Sequence, residues 1–168
     1  MSHRKILCIF FIAACLTGGG FYAVSPVVVV ILFDGEGEEK FRFSPPGGRF
    51  TVRFMHSWAM SPVYEVFQAD RDNNIILKEA VSRDFGAGYA PEPGCAMSSV
   101  TVKDGKIHIR GIDRIIPDLQ VRTGRVVAAH TLIYGDKRIP FSDFAAPGSV
   151  VIFRTQSIKR YILWTQKN

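Results

Sequence analysis

Apolar residues in this chain gather into short runs rich in Val, Ile, Phe and Tyr, and turn-forming residues separate the runs. Val27–Phe33 is β-branched for most of its length and stops at Asp34-Gly35. Phe50–Phe54 alternates apolar and polar positions, which sets Phe50, Val52 and Phe54 on one side of a strand with a single buried face. Comparable runs lie at Val63–Ala69, Ile75–Val81, Ser99–Val102, Ile107–Ile109, Gln120–Arg122, Thr131–Tyr134, Ser149–Arg154 and Tyr161–Trp164. Between them stand Pro45-Pro46-Gly47-Gly48, Asp72-Asn73-Asn74, Asp104-Gly105, Gly135-Asp136 and Pro147-Gly148. Asp104-Gly105 is the sharpest hairpin signal, because the tightest turns need positive φ at both central residues, which Asp and Gly tolerate. Gly135-Asp136 is the second. Beyond the first 25 residues no segment carries a sustained apolar stripe at helical spacing. The pattern therefore predicts an all-β fold, an antiparallel β-sandwich or a partly open barrel. The Gly- and Pro-rich stretch Phe85–Gly94 breaks the rhythm and reads as the longest loop.

The first 25 residues follow another rule. Arg4 and Lys5 precede the uncharged run Ile6–Thr17, then Gly18-Gly19-Gly20, then apolar residues to Val24. A short basic region before an apolar core is the layout of an export segment, with the basic end kept in the cytoplasm. Three fates are open to it. It is a cleaved signal peptide, an uncleaved anchor, or the leader of a lipoprotein acylated at Cys15. As an anchor, Ile6–Val24 supplies 19 residues, about enough for a hydrocarbon core of roughly 30 Å. For lipidation, Ile12-Ala13-Ala14-Cys15 has the form of a lipobox. Residues 1–25 are accordingly expected to be the signal or anchor, and residues 26–168 a single exported β domain. Its expected location is the periplasm or the outer face of the cytoplasmic membrane.

Composition then changes two readings. A net charge of +6 and a pI near 9.4 invite nucleic acid as a partner. Setting Arg4 and Lys5 aside, however, leaves 19 of the 21 basic residues against 15 acidic ones. The densest basic stretch, Arg110 to Arg125, is interleaved with Asp113 and Asp118, unlike a segregated nucleic-acid footprint. No nucleic-acid partner is expected. Cysteine use is the second: Cys8 and Cys15 fall in the export segment, so only Cys95 remains and the domain must stand without an internal disulfide.

Chemistry is concentrated between Phe50 and Phe67. Strand alternation adds His56 to the side shared by Phe50, Val52 and Phe54, with Ser57–Ser61 as the turn and Pro62 opening the return strand. If His56 faces Val63, then Phe54 faces Glu65, and Glu65 lies diagonally from His56 within side-chain reach. Such a pair serves either as a structural lock between turn and strand or as an acid–base set with Ser57. Adjacent strand residues point to opposite faces, so a Ser57–His56 nucleophile pair is geometrically awkward, and structure or binding is favoured over catalysis. Nucleotide loops, G-x-S-x-G and H-E-x-x-H are absent from the sequence. The other histidines after the export segment, His108 and His130, are isolated. No catalytic set, metal site or cofactor is expected.

The residues Phe54-Met55-His56-Ser57-Trp58 and Ser61-Pro62-Val63-Tyr64-Glu65-Val66-Phe67 resemble the domain-of-unknown-function family 1850, small exported bacterial proteins. In that family one strand ends in His-Ser and the next carries Pro-Val and Glu. Phe85-Gly86-Ala87-Gly88-Tyr89 resembles its Gly-Ala-Gly loop. The resemblance runs from Val27 to the carboxyl end, with specific motifs at 54–67 and 85–89; Trp58 and Cys95 are not part of the pattern. It implies an extracytoplasmic β domain of unsettled activity. Members are often encoded beside TRAP transporters of the TAXI type, which take up organic acids with a periplasmic binding protein. The resemblance thus implies an accessory or binding protein whose partners are the transporter's membrane subunits, the TAXI binding protein or the inner-membrane surface. His56, Ser57, Glu65, Gly86 and Gly88 are the expected ligand or partner contacts. The alternatives are a small periplasmic hydrolase using the His56/Glu65 pair and a cell-envelope interaction domain.

Overall fold

The alternating runs become eleven strands among the described residues, which in this computed structural model are 26–57, 59–83, 99–125, 129–159 and 162. They are β1 (Pro26–Phe33), β2 (Glu39–Phe43), β3 (Arg49–His56), β4 (Ser61–Ala69), β5 (Ile75–Ser82), β6 (Ser99–Lys103), β7 (Lys106–Ile116), β8 (Leu119–Arg122), β9 (Thr131–Tyr134), β10 (Lys137–Pro140) and β11 (Val150–Lys159). Residues 1–25, with the expected signal or anchor, and Trp58, Gly86, Gly88 and Cys95 lie outside the described residues. So does the expected strand Tyr161–Trp164, except for Ile162. The fold is all-β, as the spacing of turn residues predicts. It is a sandwich of two antiparallel sheets and not a closed barrel. One sheet has four strands in the order β2-β1-β11-β8, the other seven in the order β10-β9-β3-β4-β5-β7-β6. Val28–Gln156 makes up one compact unit, and it carries both sheets' central rows.

Turn chemistry fixes the connections. Asp104 and Gly105 take φ of 52° and 66°, so Lys103 pairs with Lys106 across a two-residue turn. Between β4 and β5, Asn73 takes φ 65° and the Asp70 carboxylate accepts the backbone N–H groups of Asp72 and Asn74. Burial on its own would raise the Asp70 carboxyl. The bonds from the Asn74 side chain and from those two backbone groups outweigh it and hold the group below the usual carboxylate range.

Strand β7 runs well past Ile109 because a bulge absorbs the break in alternation at Gly111-Ile112-Asp113. Glu79 faces Arg110 but Leu77 faces Arg114, with Gly111 and Asp113 at φ of 68° and 49°.

The core lies where the four-stranded sheet covers β9, β3, β4 and β5. Val30, Leu32, Phe43, Leu119, Val151 and Phe153 from one sheet meet Phe50, Val52, Phe67, Ala69, Ile75, Leu77 and Leu132 from the other. Phe50 sits at its centre, stacked on Phe67 at 5.3 Å and Phe153 at 5.8 Å, with Phe43 edge-on at 5.7 Å. Phe141, in a short 3-10 turn (Phe141–Asp143) after β10, closes one end of this aromatic column against Phe153.

Candidate functional site

The β3–β4 hairpin forms where expected but closes more tightly. Its connection is Ser57–Met60, and β4 starts at Ser61, not after it. Two features tighten the turn. Met60 adopts φ 46°, and the Ala59 backbone N–H donates to His56 Nδ1 at 3.1 Å. The pairing therefore moves by two residues relative to the expected register: His56 faces Ser61, Phe54 faces Val63 and Val52 faces Glu65.

A shift of two keeps each side chain on its face, so Glu65 remains on the inner side, half-buried between Val63 and Phe67. It does, however, put Glu65 four residues along β4 from His56's partner, roughly 13 Å at the strand rise. No hydrogen bond or ion pair joins His56 to Glu65. The expected diagonal contact is corrected by the turn that His56 itself builds. Ser57 is exposed just beyond the strand end.

His56 is thus seated as a turn cap. Because its Nδ1 lone pair accepts a backbone N–H, the neutral ring carries its proton on Nε2 and offers no second acceptor nitrogen to a reacting hydroxyl. His56→Ala is expected to lower stability by about 1 kcal/mol, the worth of one partly buried hydrogen bond. His56→Asn, whose Oδ1 can take the same N–H, is expected to recover most of it. Urea unfolding midpoints at constant m-value check both. Equal losses in the two variants would remove the capping role.

The described surface offers a different concavity, which the sequence pattern did not single out. A partly open cleft of about 370 Å³ is lined by residues from the β8–β9 connection (Thr123, Gly124, Ala129, His130), Thr131, and the segment Pro140–Pro147. Pairing of β3 with β9 sets Arg53 opposite Thr131, so His130 arrives beside Phe54, two residues before His56. The imidazole lies between two rings, Phe54 at 5.5 Å and Phe141 at 5.4 Å.

The Thr123 hydroxyl donates to the Ala146 carbonyl at 2.7 Å, and the Thr123 N–H donates to the Ser149 carbonyl at 2.8 Å, fixing the cleft's far wall. Walls of Ala, Pro and Phe with a few polar groups have the make-up of a small-molecule site, and the volume falls within the usual pocket range. His130 was legible only as an isolated histidine, because its place depends on pairing between strands far apart in the chain.

Charge is dispersed over both sheets. Arg49 and Arg110 share the Glu79 carboxylate at 3.1 and 3.9 Å, Lys78 pairs with Asp113, and Arg154 lies 3.6 Å from Asp118. Most of these side chains are more than a third exposed, so each pair contributes little to stability. Among the described residues, no three His, Cys, Asp or Glu side chains gather as metal ligands, and no helix is long and apolar enough to cross a membrane.

A family model described as a domain of unknown function (DUF1850) matches residues 50–141, which run from the central Phe50 to the cleft wall at Phe141. No curated protein and no solved structure matches the chain.

Proposed function

The chain belongs to the DUF1850 family, and on that footing we propose that it is an extracytoplasmic accessory or binding protein of a TAXI-type TRAP organic-acid transporter. It acts by binding, without a catalytic step of its own. The export segment carries it to the periplasm or the outer face of the cytoplasmic membrane, where the membrane subunits and the TAXI binding protein are its partners.

The observation that carries binding over hydrolysis is the cleft beside His130. It is apolar, partly open and sized for a small molecule, whereas the acid–base pair a hydrolase would need is pulled apart by the His56 turn. A shaped apolar wall with few polar groups selects and orients a ligand.

The test is co-purification. A tagged full chain drawn from solubilised membranes is expected to bring the TRAP membrane subunits or the TAXI binding protein with it, and a clean deletion is expected to slow organic-acid uptake. Normal uptake in the deletion, with no physical association, overturns the proposal.

A further inference from the structure

Two arginines stand next to lining residues of the cleft in sequence, and both reach Gly148, which follows the lining residue Pro147. Arg122 precedes the lining residue Thr123 and donates from Nη1 to the Gly148 carbonyl at 3.3 Å. Arg125 follows the lining residue Gly124, and its side chain passes close over Gly148. A Cβ at position 148 would stand 2.6 Å from Arg125 Nε and 3.0 Å from its Cγ. Gly148 has φ 78° and follows the lining residue Pro147, so the absence of a side chain there is what lets the arginine settle at the Pro147 end of the cleft. Among the described residues no carboxylate pairs with Arg122 or Arg125. None of the lining residues is acidic.

An exposed arginine held against a backbone has already lost part of its side-chain freedom, so a ligand that pairs with it faces a smaller ordering cost. Its planar fork matches a carboxylate in two parallel hydrogen bonds, a fit that an ammonium does not reproduce. Along the cleft, Phe141, Pro140, Ala145 and Pro147 offer apolar surface, while Thr131, Ser142 and His130 are polar lining residues.

From this arrangement we infer that the cleft takes a small organic carboxylate, its anionic head at Arg125 and its apolar body against Phe141 and Pro140. The inference deepens the binding reading by naming the ligand class of that same site, and it rests on that reading only for the site's being a binding site.

Calorimetric titration of the purified full chain with 3-phenylpropionate and with hexanoate, each against its uncharged amide, tests it. Saturable binding of at least one acid is expected, with the matching amide roughly tenfold weaker or more, the scale of a lost charge-assisted hydrogen bond. Arg125 is exposed and, among the described residues, pairs with no carboxylate; Arg125→Gln is expected to bring the acid down to the level of the amide. Arg125→Lys, which keeps the charge but not the fork, is expected to fall between them.

Acid and amide binding alike, Arg125→Gln binding like the wild type, or no binding of either acid overturns the inference. These results are separable from the transporter proposal. Acid binding without co-purification keeps the ligand site and removes the transporter, and co-purification without acid binding does the reverse.

Discussion

Gly48→Ala is expected to cost this protein a large part of its stability. Gly48 ends the 3-10 turn Pro46–Gly48, where the chain leaves β2 in one sheet and enters β3 in the other. Its φ is 78°, and a Cβ there would fall 2.2 Å from the Ala69 carbonyl oxygen and 2.5 Å from Gln68 Nε2. Neither neighbour can give way freely. The Ala69 carbonyl sits at the buried end of β4, and Gln68 Nε2 bridges the Gly47 and Ala69 carbonyls at 2.7 and 3.0 Å.

The left-handed conformation costs an alanine roughly 1–2 kcal/mol. Forcing the backbone contact apart adds about 1–3 kcal/mol more. Against a typical total stability of about 5–15 kcal/mol, that is enough to lower the melting temperature markedly. Gly47→Ala is the control, since Gly47 shares the left-handed region at φ 61° but has nothing within 4 Å of the added Cβ. Thermal and urea unfolding should therefore show a clearly larger loss at 48 than at 47. Equal losses would mean that backbone conformation alone matters and that the crossing does not depend on the close contact.

How much of this molecule was legible beforehand divides along a physical line. Features set by neighbours in sequence were legible. The Val27–Phe33 run, the Phe50–Phe54 alternation and the Asp104-Gly105 turn each form the expected element, because side-chain period and turn chemistry act over a few residues. β2 escaped because Glu39-Lys40-Phe41-Arg42-Phe43 is too charged to look like a strand, although Phe43 is buried by the opposite sheet. β10 escaped for similar reasons, its Lys137 and Arg138 being on an exposed edge.

The site was harder. Strand alternation places His56 on the inner side and allows it a turn-locking role, but alternation does not fix its partner. The missing information was the geometry of four residues: a left-handed Met60 and a hydrogen bond from Ala59 shorten the connection and move Glu65 out of reach. The cleft was illegible for a different reason. Its parts come from the β8–β9 connection and the segment after β10, and only the long-range pairing of β3 with β9 brings His130 to Phe54.

The aromatic column on which that cleft rests should show the second large effect. Phe50→Ala is expected to lose roughly 3–5 kcal/mol, the usual range for emptying a fully buried phenylalanine site. Phe50 is 1% exposed and touches rings from both sheets, so no single neighbour can collapse into the space without leaving its own. Phe144→Ala, at a half-buried ring on the column's flank, should lose distinctly less.

The column also predicts coupling. Phe50 and Phe153 lie nearly parallel, at 4°, and Phe153 in turn meets Phe141, which packs at a tilt against His130. Phe50→Ala and Phe153→Ala remove the same ring contact, so the double variant should be less unstable than the two single losses added together. The difference should be about 0.5–1.5 kcal/mol, the usual worth of an aromatic pair beyond its buried area. Additive losses would show that the two sheets are held by independent patches and that the cleft wall at Phe141 draws no support from the centre. A coupling of the expected size ties the wall's position to the packing at Phe50. In that case substitutions deep in the core will weaken carboxylate binding at the cleft without touching the ligand.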